Sequence, residues 1–247
     1  MSSFTSKQVP EKTCLTIGFL LFAITWIGTG TQHLIYIEFV TNLVPKFMPA
    51  RAFWVWVTGL GMLLAGISFL IRFKTSLAAI MLSIMMGFFI VLIHFFKLRG
   101  SYGSWTVWYR FIQDVSITGA CLLITEKPLL VKTGRWFYAL PVLLMGMAHF
   151  YYPEMVTARI PVYFPAKTFF NYVVGVLIMA MAGAVFLKYY TKQAALALAI
   201  LLLAFALFYS GPPLVKNIKD AGQWTDFLLD LAVAAGAFFA SAKLSDD

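Results

Sequence analysis

Apolar residues follow one another along this chain in runs long enough to cross a bilayer, roughly 20 residues each, and short polar segments separate them. Eight such runs are legible, at about 13–33, 51–71, 75–96, 105–125, 134–151, 167–188, 192–210 and 222–242. Each predicts a helix, because an open strand leaves its backbone polar groups unsatisfied in hydrocarbon. The expected fold class is therefore all-α, a polytopic membrane protein of eight transmembrane helices with both termini on one side. Residues 1–12, with Lys7, Glu11 and Lys12, form a polar N-terminal lead. The first run is too long for the apolar region of a signal peptide and lacks a small-residue cleavage site, so it counts as a span.

The runs repeat. Gly146–Pro165 reads GMAHFYYPEMVTARIPVYFP, and Gly30–Pro49 reads GTQHLIYIEFVTNLVPKFMP, 116 positions earlier (149 − 33). His33 falls on His149, Glu38 on Glu154, Pro45 on Pro161 and Pro49 on Pro165. The register continues without a gap: Gly59 matches Gly175, Trp108 matches Trp224 and Asp114 matches Asp230. A period this long means two whole modules. Residues 13–126 form the first four-helix module, 127–133 a linker marked by Lys127-Pro128, and 134–247 the second module. An even number of spans per module predicts parallel repeats with pseudo-two-fold symmetry about the membrane normal. The turns IRFKTS and LKYYTKQ are tight and basic, whereas the long connections after spans one and five carry aromatics and two spaced prolines. Those connections are expected to fold back as short interfacial pieces.

The repeated frame resembles the DoxX-like family of small four-helix membrane proteins. It shares a small-residue lead into His-Phe, a Pro-Glu shortly after, a P-x-x-x-P loop and a Gly-rich helix. The second copy is closer, with GMAHFYYPE; in the first, Leu34 replaces Phe and Ile37 replaces the Pro before Glu38. The resemblance implies an accessory or non-catalytic subunit of a quinone-linked membrane redox system, since some members are linked to thiosulfate:quinone oxidoreductase. It also implies a bacterial inner membrane and termini in the cytoplasm. Redox subunits are the partners it suggests, and quinone is the cofactor it admits.

Composition agrees with a membrane setting. Hydrophobic residues make up 61% and charged residues 12%, half the roughly 25% of a soluble chain, and mean hydropathy is +0.84. The formal charge of +9 is scattered over short loops, which fits contact with anionic lipid headgroups and not nucleic acid. The only cysteines, Cys14 and Cys121, form no C-x-x-C and read as small apolar fillers.

Four charged residues fall inside the spans at least four positions from either end. Asp114 and Asp230 lie midway along spans four and eight, where an ionised carboxylate costs several kcal/mol unless paired or hydrated. One turn outward, Arg110 in the first copy is replaced by Asp226 in the second. Within span four Arg110 can offset Asp114 at i, i+4. Opposite signs at one repeat position are what a pair across a two-fold axis requires, so spans four and eight are expected to meet with Arg110 against Asp226. A polar cluster is expected on the outer face: His33, Glu38, His94, His149 and Glu154. His33, His94 and Glu38 are the ligand types of a non-haem iron or zinc site. The plainer reading, preferred here, has each His bonding a Glu or a loop carbonyl; no metal is assigned, and haem and non-haem iron are disfavoured. In the second module Ser210 takes the place of His94.

No P-loop, dinucleotide-binding glycine pattern, zincin pair or Ser-His-Asp arrangement is present, so the chain carries no self-contained catalytic motif. Beside the redox reading stands a second one, a transporter or carrier of a small or lipid-like molecule with Asp114 and Asp230 as proton or cation sites.

Overall fold

The computed structural model describes residues 11–158, 160 and 165–247, so Lys7, Arg159 and Pro161 lie outside the described residues. Among these every regular element is helical, with no strand. α1 (Glu11–Ile35) leads into a short α2 (Ile37–Thr41), then α3 (Arg51–Leu70) and α4 (Thr75–Phe89). α4 passes through a π-helical turn at Ile90–His94 into α5 (Phe95–Gly100), and α6 (Trp105–Leu123) follows. The order then recurs as α7 (Pro128–Tyr151), α8 (Pro153–Thr157), α9 (Lys167–Leu187) and α10 (Thr191–Phe205). A second π-helical turn, Ala206–Ser210, leads to α11 (Gly211–Lys216) and α12 (Ala221–Lys243).

Local chemistry explains the boundaries. From α2 and α8 onward, corresponding helices start 116 positions apart, and so do the two π turns. Ala50 and Ala166 precede α3 and α9 in the left-handed region, at φ 49 and 46, and Arg72 and Lys188 turn the chain at φ 57 and 61. The Trp108 and Trp224 indoles donate to the Tyr102 and Ile218 carbonyls at 2.9 and 2.8 Å, fixing the entries to α6 and α12 alike. Asp220 caps α12, accepting from the Gly222 and Gln223 amides at 2.7 and 3.2 Å. Residues 128–133, expected as linker, belong instead to α7. Pro128 sits in its first turn, where a fixed φ and a missing N–H suit a helix start.

Among the described residues, six helical runs are long and apolar enough to cross a membrane: Glu11–Ile35, Arg51–Leu70, Thr75–Gly100, Lys167–Leu187, Thr191–Lys216 and Ala221–Lys243. The other two expected spans, α6 and α7, have the length but not the apolar character. α6 carries Arg110, Gln113 and Asp114, and α7 carries Lys132 and Arg135. Burial runs against hydropathy among the six. Thr75–Gly100 is the most apolar, at 2.6, and only 17% of its apolar window is buried. Ala221–Lys243 is the least apolar, at 1.4, and 78% of its window is buried. Water would demand the reverse order; a lipid surround explains this one.

α12 is the central helix, packed against α1, α10 and α6, while α7 packs against α9 and α6. Small residues permit these contacts. Gly59 lies against the Cβ of His33, and Gly175 against that of His149, so each histidine sits where two helices cross closely. At Gly119 an added Cβ would press on the α7 backbone at Phe137 and Tyr138, whereas at Gly61 it would meet nothing within 4 Å. Gly119→Ala is therefore expected to lose about 1–3 kcal/mol and Gly61→Ala to match or exceed wild type. Thermal unfolding of both variants in one detergent checks the contrast; equal midpoints would contradict it.

Candidate functional site

The polar residues of α6 and α12 converge where the two helices touch. Arg110 Nη2 donates to Asp226 Oδ1, joining α6 to α12. Arg110 Nη1 donates to Gln113 Oε1 at 2.8 Å, and Gln113 Nε2 donates onward to Asp230 Oδ1 at 3.0 Å. The Tyr109 hydroxyl approaches the same Asp230 oxygen at 3.5 Å, and the Ser210 hydroxyl donates to Asp230 Oδ2. The network thus runs from Asp226 through Arg110 and Gln113 to Asp230 and Ser210. Such a network is stable away from water because each polar group in it meets another.

The two π turns aim the residues that meet the central acids. In each turn an amide bonds five residues back, Phe95 N–H to the Ile90 carbonyl and Gly211 N–H to the Ala206 carbonyl. The extra residue swings the end of the turn off the regular helical face, a device often found at functional sites. His94 ends the first turn, with Nε2 2.7 Å from Asp114 Oδ2. Ser210 ends the second and bonds Asp230. One geometry therefore serves both halves, with an imidazole in one and a hydroxyl in the other.

Several sequence expectations change here. Asp114 is met by His94, and Arg110 turns away from it toward Gln113 and Asp226, so the i, i+4 relief within span four does not form. His33 does not reach Glu38; its Nδ1 bonds the Thr29 carbonyl of its own helix at 2.8 Å. His149 Nδ1 is 2.8 Å from Asn171 Oδ1, and Asn171 Nδ2 donates to the His149 carbonyl at 2.7 Å. Glu38 and Glu154 are exposed on α2 and α8. The reason is geometric: those short helices turn their acids away, while the close crossings at Gly59 and Gly175 hold both histidines among helices. The set His33, His94 and Glu38 is accordingly not assembled, and no three His, Cys, Asp or Glu side chains among the described residues could share a metal ion. Cys14 and Cys121 are free and buried.

Beside the network lies a partly open cavity of about 150 Å³, lined from α6, α7, α8, α9, α10, the second π turn and α12. Tyr109, Arg110, His149, Asp226 and Asp230 supply its polar groups. Aromatic rings form part of its wall, beside aliphatic side chains: Trp105 stacks on Tyr152 at 4.5 Å, Phe205 on Tyr209 at 4.3 Å, and His149 stands edge-on to Phe205 at 6.3 Å. Gln113 is the residue that sequence reasoning missed. Leu229 stands at its matching position in the second half, so the repeat gave no signal there, although the i, i+3 spacing from Arg110 was available.

Comparison with protein-family models, curated proteins and solved structures finds no match to this chain.

The Arg110–Asp226 pair yields a double-mutant prediction. Arg110→Asp or Asp226→Arg alone should each cost about 3 kcal/mol, because the remaining charge is left facing its like. The double swap should recover much of that loss. Additive losses in thermal unfolding would show that the two side chains contribute independently.

Proposed function

We propose that this chain is an integral membrane protein that binds a small ring-bearing ligand, with a quinone headgroup as the best fit, as an accessory subunit of a membrane redox system. The cavity carries this reading. About 150 Å³ is the size of an engineered apolar cavity that takes up a benzene ring. Stacked aromatics flank it, and a ring carbonyl oxygen would replace Asp230 as acceptor of the Tyr109 hydroxyl, whose contact with that acid is long at 3.5 Å, beside the Arg110 guanidinium. Bound there, a quinone would supply the electron chemistry, while this chain would orient the ring and keep water out. The resemblance to the DoxX-like family, seen in GMAHFYYPE, points the same way.

The architecture proposed with it is eight spans in two parallel four-helix modules, meeting near residue 127 and related by a pseudo-two-fold axis along the membrane normal. The 116-residue recurrence of elements supports it. So does the exchange of partners, since α1 of one half packs on α12 of the other and α7 on α6. α6 and α7 then cross with their polar faces turned toward protein. Both termini fall on one side, placed in the cytoplasm of a bacterial inner membrane by the resemblance.

A second reading, a proton- or cation-coupled carrier, is favoured by one observation. His94 and Asp114, 2.7 Å apart and largely buried, set an imidazole against a carboxylate within the spans, the residue types found in proton relays of membrane carriers.

Titration of the purified protein with a short-chain ubiquinone tests the first reading through quenching of tryptophan fluorescence, Trp105 being in the wall. Saturable quenching is expected, weakened roughly tenfold by Tyr109→Phe; linear, non-saturating quenching would end it. For the carrier reading, Asp114→Asn should spare thermal stability and abolish proton flux into vesicles loaded with a pH-sensitive dye. Wild-type vesicles that pass no protons would remove that reading.

A further inference from the structure

We infer that the chain holds one ligand site and not two, because Gln32 plugs the first half at the position where Ala148 leaves the second half open. Residues 32 and 148 are repeat equivalents, each immediately before its histidine. Gln32 is buried, and its Nε2 donates at 2.6 Å to the Ala221 carbonyl and at 2.6 Å to the Thr225 hydroxyl. The side-chain amide therefore bridges α1 to the first turns of α12. In the other half the residues matching Ala221 and Thr225 are Trp105 and Tyr109, and both line the cavity together with Ala148.

The two junctions pair equivalent helices, α1 with α12 and α7 with α6, and differ in side chains. A long amide against small partners closes one, and a methyl group opposite two aromatic rings opens the other. Trp105 is further held by its stack on Tyr152. Closing the second site needs only a longer side chain at 148, and opening the first needs only a shorter one at 32. Ala148 and Gln32 are in this sense the positions that set occupancy.

The ligand's identity rests on the ring-binding reading, whereas the count of sites can be tested without a quinone. Crystals of wild type, Ala148→Gln, Ala148→Leu and Gln32→Ala would be soaked in bromobenzene and the bromine located by anomalous scattering. One site between α6 and α7 is expected in wild type, none in either Ala148 variant, and a second site beside α12 in Gln32→Ala. The Leu variant fills space without a hydrogen bond, so it decides the matter if the Gln variant does not fold. In solution, short-chain ubiquinone should bind the Ala148 variants at least about tenfold more weakly than wild type. Bromobenzene retained in the Ala148 variants, or no second site in Gln32→Ala, would overturn the inference. If bromobenzene follows the expected pattern but wild type binds no quinone, the redox reading falls and the occupancy rule stands. An empty wild-type cavity in the soak would sink both.

Discussion

The ion pair between Arg110 and Asp226 joins α6 to α12, and much of the interior is arranged around that contact. Arg110 also fixes Gln113, Gln113 bonds Asp230, and Asp230 accepts from Ser210 at the end of the second π turn. Withdrawing two charges from water is costly, and the pair is favourable only when its remaining donors and acceptors are met as well. That requirement explains the fully buried Gln113, a neutral residue bridging a cation and an acid. It also explains why α6 is less apolar than its neighbours: its polar face is spent on protein contacts. The cavity lies against this network, so the groups that hold the two helices together are also those that a bound ring would meet.

The outer surface obeys a different constraint. Among the six long apolar runs, those with least buried surface are the most apolar, and the central helix, rich in Ala and Gly, is the least. Between helices in lipid, attraction comes from close packing and interhelical hydrogen bonds and not from expulsion of water. Glycines at the crossings of α1 with α3 and of α7 with α9 supply the close packing, and the polar network supplies the hydrogen bonds. The two mechanisms meet at His149, packed against Gly175 and hydrogen-bonded to Asn171 of α9, whereas His33 is packed against Gly59 and bonds within α1.

The halves share a framework and have diverged in side chains. His94 faces Asp114 where Ser210 faces Asp230, and Arg110 stands where the other half has Asp226. Gln32 bridges two helices where Ala148 borders a cavity. The 116-residue recurrence presents each position twice, and a side chain in one half need not be matched in the other.

The sequence alone determined the helical class, the 116-residue period and the presence of opposite charges at one repeat position. Each is a property of composition or spacing along a single chain, and lipid leaves helix as the outcome for long apolar runs. The tight basic turns were legible for the same reason. What only the tertiary structure decided was partnership between segments. Arg110 had Asp114 within reach on its own helix; opposite charges at one repeat position pointed to Asp226, but nothing along the chain said that His94 would take Asp114 or that Gln113 would join Arg110. The histidines and glutamates lay five positions apart in sequence, yet the short α2 and α8 turn Glu38 and Glu154 outward. Gln113 and Gln32 gave no periodic signal because Leu229 and Ala148 stand at the matching positions. Their roles exist only where α6, α12 and α1 come within hydrogen-bonding distance, and that distance is set by helix packing, which no linear pattern encodes.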